Sequence, residues 1–209
     1  CVIPNAENYP DSKVNLCIDK IMEIYDRTSA QKGVQAIFCD IAVNSDDGKF
    51  SVYDYLKQEL ARRGIPENEI AFIHDANTDR AKQDLFDKIN AGAVRVLIGS
   101  TEKCGAGTNV QKRLVAIHHL DAPYRPRDLI QRNGRGIRQG NMNKGIRIYT
   151  YATERTFDSY SYQILENKQR FISQVEKGDM TVREAEDIDE ATLSYAEIKA
   201  ITSANPKIK

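Results

Sequence analysis

The side chains best suited to chemistry in this sequence lie in a ten-residue stretch rich in arginine and glycine. Residues 131–140 have the sequence Gln-Arg-Asn-Gly-Arg-Gly-Ile-Arg-Gln-Gly. Arg135 and Arg138 are three residues apart, so on a helical turn they would lie on one face and converge on one phosphate group. Arginine suits this task because its planar guanidinium stays charged and binds two oxygens at once. The stretch predicts an anion-binding site, with a solvated basic face or a general nucleic-acid patch as the alternative.

A second polar segment lies upstream of this stretch and follows a predicted strand. The apolar run 94–99 leads into residues 100–111, Ser-Thr-Glu-Lys-Cys-Gly-Ala-Gly-Thr-Asn-Val-Gln. Its two glycines allow a ligand to approach the backbone, and its threonine, asparagine and glutamine side chains supply short polar contacts. A dinucleotide-binding turn is excluded because Val110 stands where a third glycine is needed.

In order and spacing these two segments resemble motifs V and VI of the superfamily-two helicases and translocases, and within them the Swi/Snf branch. Ser-Thr-x-x-x-Gly-x-Gly-x-Asn at 100–109 is similar to motif V, and Gln-Arg-x-Gly-Arg-x-x-Arg-x-Gly at 131–140 is similar to motif VI. The run Gly-Ala-Gly-Thr-Asn-Val-Gln, followed by His-His-Leu-Asp-Ala-Pro-Tyr-Arg-Pro, also resembles the helicase part of methylase-helicase proteins of phages and conjugative elements. The resemblance implies a RecA-like lobe of an ATP-driven motor.

The resemblance implies a role for each matching residue on the nucleotide side. Arg138 corresponds to the arginine finger and Arg135 to its companion at the γ-phosphate; the alternative for both is an ion pair with Asp121 or Asp128. The other implied nucleotide contacts are Gln131, Gly107 and Asn109. Motors of this class hydrolyse ATP with Mg²⁺ between two lobes. The sequence lacks a Gly-x-x-x-x-Gly-Lys-Ser/Thr loop, so we expect the N-terminal lobe of the same parent chain to bind ATP and Mg²⁺.

Nucleic acid, expected to be duplex DNA, is the second implied partner. By resemblance Thr101 contacts a phosphate of the backbone, and His74 occupies the place of a further backbone-contacting motif, with a strand-end hydrogen bond as its alternative role. We expect Arg132 to face DNA or solvent. The remaining predicted phosphate contacts are Lys103, Arg125 and Arg127. Asp40 and Asp121, each after a predicted strand, are expected to be loop or salt-bridge residues.

Composition indicates a soluble, cytoplasmic protein with one basic surface. The formal net charge is zero, yet residues 124–147 hold seven Lys or Arg side chains against one Asp, and residues 176–197 hold eight acidic side chains against two basic ones. Apolar stretches of membrane-spanning length and a signal-peptide pattern are both absent from the sequence. The four cysteines are scattered and predict neither zinc nor disulfides; we expect no metal site.

Strand and helix patterns alternate over most of the chain and predict an α/β fold, a parallel sheet with helices on both faces. The predicted strands cover 34–40, 70–74, 94–99, 114–120 and 144–151, and a helix or turn covers 126–139. With the resemblance, residues 1–153 form a RecA-like helicase C-terminal lobe and residues 154–209 a helical brace or connector. The predicted function is the C-terminal motor lobe of an ATP-dependent DNA helicase or translocase, cut from a longer chain. The alternative is a non-catalytic RecA-like module that binds nucleic acid or another protein.

Overall fold

A single parallel sheet organises the part of the chain that the computed structural model describes, residues 10–41, 51–104, 109–153 and 156–176. Its strands are β1 (Val34–Phe38), β2 (Ile70–Phe72), β3 (Val96–Gly99), β4 (Leu114–His119) and β5 (Arg147–Thr150). Neighbouring strands follow the order β2-β3-β1-β4-β5, and all four pairs are parallel. The predicted five-stranded parallel sheet is confirmed.

Helices cover both faces of this sheet. They are α1 (Lys13–Arg27), α2 (Val52–Arg62), α3 (Asp79–Ala91), α4 (Pro126–Gly134) and α5 (Phe157–Glu176). The hydroxyls of Ser12, Ser51 and Thr78 each accept a backbone N–H three residues later and so cap the starts of α1, α2 and α3. Gly92 ends α3 with a φ of 77°, a left-handed conformation that glycine adopts without strain.

Two apolar layers result from the alternation of side chains along each strand. On one face Ile37 of β1 packs with the buried faces of α1 and α2, which include Ile18 and Leu56. On the other face the neighbouring Ala36 packs in the layer that contains Phe86 of α3. The central strand β1 is buried along its whole length, which explains why it appears in the sequence as a continuous apolar run.

Two predicted boundaries differ from the structure. β2 stops at Phe72, and His74 lies in a short 3₁₀ turn, Ile73–Asp75, rather than at the end of the strand. Helix α4 ends at Gly134, so the chain has left the helix before it reaches Arg138. The turn packs closely against the residue that precedes β5, because a Cβ built on Gly136 would lie 2.2 Å from Cδ1 of Ile146.

Helix α5 is attached to the first helix of the lobe. Asp158 accepts hydrogen bonds from Nζ of Lys13 at 2.8 Å and from the backbone N–H of Thr153 at 3.1 Å. Farther along the helix, Leu165 is buried. The rest of the predicted helical brace or connector, residues 177–209, lies outside the described residues. Across the described part of the chain, none of the helices combines the length and apolar character that crossing a membrane requires.

Candidate functional site

The carboxyl edge of the sheet opens into a cleft of about 590 Å³. Because all strands are parallel, the residues that follow β1, β2 and β3 converge there, and α4 forms the opposite wall. The lining residues are Asp40, Tyr53, Ile73, His74, Ser100, Thr101, Glu102, Lys103, Asp128 and Gln131. The cleft therefore brings together three predicted nucleic-acid contacts, at positions 74, 101 and 103, with the predicted nucleotide contact at position 131.

Arg132, in the last turn of α4, is completely buried, and every nitrogen of its guanidinium donates a hydrogen bond within the protein. Its Nη2 donates to Oδ2 of Asp40 at 2.7 Å and to Oδ1 of Asp121 at 3.0 Å. Its Nε donates to Oγ1 of Thr101 at 2.8 Å, and its Nη1 donates to the carbonyl of Asp121 at 3.0 Å. The guanidinium also lies 5.4 Å from the ring centroid of Phe38. We call these four polar residues, Arg132, Asp40, Asp121 and Thr101, the Arg132 cluster.

This burial corrects the expectation that Arg132 faces DNA or solvent. The residue lies on the side of α4 that packs against the sheet, where two carboxylates compensate its charge. The sequence held a signal for this arrangement, since Asp40 and Asp121 each follow a buried strand. Their predicted role as salt-bridge partners is confirmed.

The two carboxylates of the Arg132 cluster differ in their access to water. Asp121 has a side chain 3% exposed and also accepts the backbone N–H groups of Asp40 and Ile41. Burial raises the pKa of Asp121, and the charge of Arg132 opposes that shift. Asp40 is 35% exposed and lines the cleft. One acid of the cluster is therefore internal, and the other is accessible from the cleft.

The adjacent histidines of β4 point to opposite faces of the sheet, because successive side chains of a strand alternate. Nε2 of His119 lies 2.8 Å from Oδ1 of Asn133, and its Nδ1 lies 3.5 Å from Nη1 of Arg132. Burial, opposed by the bond to Asn133 and assisted by the charge of Arg132, lowers the pKa of His119 to about 4. On the other face His118 lies between Gln35 and Tyr151, and burial lowers its pKa to about 3. Both rings are neutral at pH 7.

Arg135 and Arg138 lie in the turn that follows α4. Arg135 is buried, whereas Arg138 is exposed. Burial and then repulsion by the positive charge of Arg138 lower the pKa of Arg135. An anion held between them would relieve that repulsion. Gly136 lies between the two arginines, where a Cβ could fit only if Ile146 shifted.

The other predicted site residues are distributed around this centre. Arg125 and Arg127 are exposed at the start of α4, and Lys103 is exposed at the cleft. The ring of His74 stacks on Phe72 with centroids 5.1 Å apart. Asn109 is exposed, and its carbonyl accepts a hydrogen bond from Asn90 of α3. Gly107 lies outside the described residues. Tyr53, which belongs to none of the sequence motifs, also lines the cleft, and its hydroxyl donates to the carbonyl of Cys39.

Comparison with known proteins agrees with this architecture. A stretch of 94 residues, 45% of this chain, is 32% identical to the Defense against restriction protein B of Escherichia phage P1 and spans 4% of that protein. The C-terminal part of the Fun30 ATPase domain superposes with a TM-score of 0.58 at 18% identity, over 77% of this chain and 48% of that one, which shows a shared fold. This chain thus spans a small fraction of the phage relative and about half of the Fun30 structure. Residues 17–140, more than half of the 209, match the family described as the helicase conserved C-terminal domain, and the chain belongs to that family.

Proposed function

We propose that this chain is the C-terminal motor lobe of an ATP-dependent DNA helicase or translocase of the Swi/Snf branch. The observation that carries the proposal is the exposed guanidinium of Arg138, which lies in the turn after α4, three residues beyond the buried Arg135. In this proposal Arg138 is the finger and Arg135 its companion on the γ-phosphate. Such a group neutralises the charge that develops on the transferred phosphoryl oxygens and accelerates hydrolysis by about 10³- to 10⁵-fold.

ATP and Mg²⁺ would be bound mainly by the N-terminal RecA-like lobe of the same parent chain. Within 10–41, 51–104, 109–153 and 156–176, no three His, Cys, Asp or Glu side chains form a group that could hold a metal ion. This lobe would instead bring cationic and polar groups to the nucleotide that its partner holds. Arg138 and Arg135 supply the charge, and we assign supporting contacts to Gln131, Gly107 and Asn109.

DNA, which we take to be duplex, would lie across the basic segment 124–147 and the mouth of the cleft. The exposed side chains of Arg125, Arg127 and Lys103 provide cations for backbone phosphates, with Thr101 and His74 on the cleft wall. Contacts of this kind position a protein on nucleic acid without reading its sequence. We therefore expect affinity that falls steeply with salt and depends little on sequence.

Helix α5 fits a role as a brace that begins where the lobe ends. The ion pair between Lys13 and Asp158, with side chains only 5% and 12% exposed, anchors its first turn to α1. We propose the division of the chain into a lobe, 1–153, and a helical brace or connector, 154–209. The similarity to a phage protein supports a parent chain of the methylase-helicase type carried by mobile elements.

The test is DNA-stimulated ATP hydrolysis by the full-length parent protein, wild type beside Arg138→Ala. We expect hydrolysis to fall by at least about 10³-fold in the variant. Arg170→Ala is the matched control because it removes an exposed guanidinium from α5, far along the chain from motif VI; it should change the rate by less than about twofold. Unchanged hydrolysis in Arg138→Ala would show that Arg138 is not the arginine finger. A wild-type parent that does not hydrolyse ATP would favour the non-catalytic module.

A further inference from the structure

Both hydrogen-bond donors of Thr101 are directed at a single carboxylate. The backbone N–H of Thr101 donates to Oδ1 of Asp40 at 2.7 Å, and its hydroxyl donates to Oδ2 of the same side chain at 2.6 Å. The hydroxyl oxygen in turn accepts Nε of Arg132 at 2.8 Å. All the polar groups that Thr101 presents at this edge of the sheet are therefore engaged within the protein.

This arrangement conflicts with a phosphate contact at the same residue. A phosphodiester offers acceptor oxygens and carries a negative charge, so it needs a donor such as an N–H or a hydroxyl. Each donor of Thr101 already has an anionic acceptor of the same kind. A phosphate that contacts Thr101 must displace the carboxylate of Asp40, because two anions on the same donors would repel one another strongly.

Asp40 is the carboxylate of the Arg132 cluster that an incoming phosphate can reach and displace. Its side chain is about one-third exposed and lines the cleft, and it lies beyond the end of β1. Arg132 would keep a buried counter-charge during the exchange, since Asp121 is 3% exposed and holds the same guanidinium nitrogen at 3.0 Å. Release of Asp40 therefore leaves no buried unpaired cation.

We propose that Asp40 stands in for a nucleic-acid phosphate in the unbound lobe and is expelled from Thr101 and Arg132 when a backbone phosphate binds. The inference rests on the nucleic-acid binding assigned under the proposed function. Its consequence reaches the nucleotide side, because Arg132 lies three residues before Arg135 at the end of α4. Phosphate binding at Thr101 removes one of the two carboxylates that hold Arg132, and so changes the support of the segment that carries Arg138.

The decisive measurement is the affinity of the full-length parent for a random-sequence DNA duplex, wild type beside Asp40→Asn. The amide keeps the size of the side chain but loses the charge-assisted bonds, so the phosphate has a weaker competitor and binding should tighten by about five- to tenfold. Asp128→Asn is the matched control. It removes the same charge from the same cleft, on α4, and reports the general effect of cleft charge, for which we expect about twofold or less.

A double variant separates competition at Thr101 from charge alone. In a Thr101→Val background the hydroxyl donor is gone, and Asp40→Asn should then tighten binding by less than half as much as it does in the wild type. The inference would be overturned if Asp40→Asn tightened DNA binding equally in both backgrounds, or if it bound DNA no more tightly than Asp128→Asn. Either result would leave the proposed function standing.

Amide hydrogen exchange at Thr101, measured on the parent without DNA, tests the contact independently. The N–H should exchange faster in Asp40→Asn than in the wild type and remain unchanged in Asp128→Asn; equal exchange in all three would contradict the stand-in contact. A wild-type parent that binds no duplex would instead remove the nucleic-acid part of the proposed function, and this inference with it. The two failures are therefore distinguishable.

Discussion

Two arginines of the same ten-residue segment have opposite environments. Arg132 is fully buried with two carboxylates on its guanidinium, whereas Arg138, six residues later, is exposed. The end of α4 at Gly134 separates them, and Arg138 lies in the turn that follows the helix. A single basic motif therefore contains two kinds of cation: one is paired inside the lobe, and the other is exposed at its surface.

Replacing each arginine by leucine should separate these two roles by stability, and this is the largest effect we expect. Arg132→Leu leaves Asp121 buried without its cation, which typically costs about 3 to 5 kcal/mol of the free energy of unfolding. Arg138→Leu changes an exposed side chain and should alter that free energy by less than about 0.5 kcal/mol. Urea unfolding of the two variants and the wild type measures both values.

The double variant Arg132→Leu with Asp121→Asn identifies the cause of the loss. If an uncompensated buried carboxylate is responsible, the neutral amide should recover part of the stability lost in the single variant. No recovery would mean that lost packing of the long side chain dominates. Equal destabilisation by Arg132→Leu and Arg138→Leu would refute the division of roles altogether.

The sequence predicts the five strands but not the environment of the arginines. All five strands are predicted from the sequence, because apolar runs are local signals. The burial of Arg132 depends on residues that only the fold brings near, Asp40 at 92 positions and Asp121 at 11 positions along the chain. Three arginines at regular spacing carry no local mark of which one lies inside.

The contact between Asp40 and Thr101 was hidden for the same reason. Each residue follows a different strand, and 61 positions separate them. Their convergence follows from β1 and β3 being parallel neighbours, with Phe38 beside Gly99 in register. The strand order could not be derived from the apolar pattern, since every central strand of a covered parallel sheet has a similar one.

Two glycines of the motif offer a smaller test of how the turn separates the arginines. A Cβ on Gly136 would lie 2.2 Å from Cδ1 of Ile146 and 3.1 Å from Cδ2 of Leu114, so Gly136→Ala forces the turn or its neighbours to shift. We expect a loss of about 1 to 3 kcal/mol. At Gly134 nothing lies within 4 Å of the added atom, and alanine favours a helical position by up to about 1 kcal/mol.

Thermal or urea unfolding of the two alanine variants checks the sign of each change. Hydrolysis by the parent protein adds a second readout, because a displaced turn should move Arg138 and lower the rate in Gly136→Ala more than in Gly134→Ala. If both variants were equally stable and equally active, the packing beneath this turn would not determine where the exposed arginine lies.

Lowering the pH should reduce the free energy of unfolding through His119, which lies beside the buried Arg132 and not beside the exposed Arg138. The pKa of His119, next to Arg132, is about 4 in the folded lobe against an ordinary value of 6.5. Between those two values the unfolded chain binds a proton that the folded lobe does not, so the free energy of unfolding falls as the pH falls, by up to about 1.4 kcal/mol per pH unit. The raised pKa of Asp121 acts in the opposite direction and is common to every variant that retains it.

His119→Gln isolates this contribution, because glutamine does not titrate. Urea unfolding at a series of pH values from about 6.5 down to about 4 should show a shallower loss of stability in His119→Gln than in the wild type, by about the slope of one proton. Arg138→Leu should keep the wild-type slope, since Arg138 is exposed and lies outside the Arg132 cluster.

An unchanged slope in His119→Gln would mean that His119 is protonated in the folded lobe as readily as in the unfolded chain. A second cation would then lie 3.5 Å from Nη1 of Arg132, and the account of Arg132 as a compensated internal charge would be wrong.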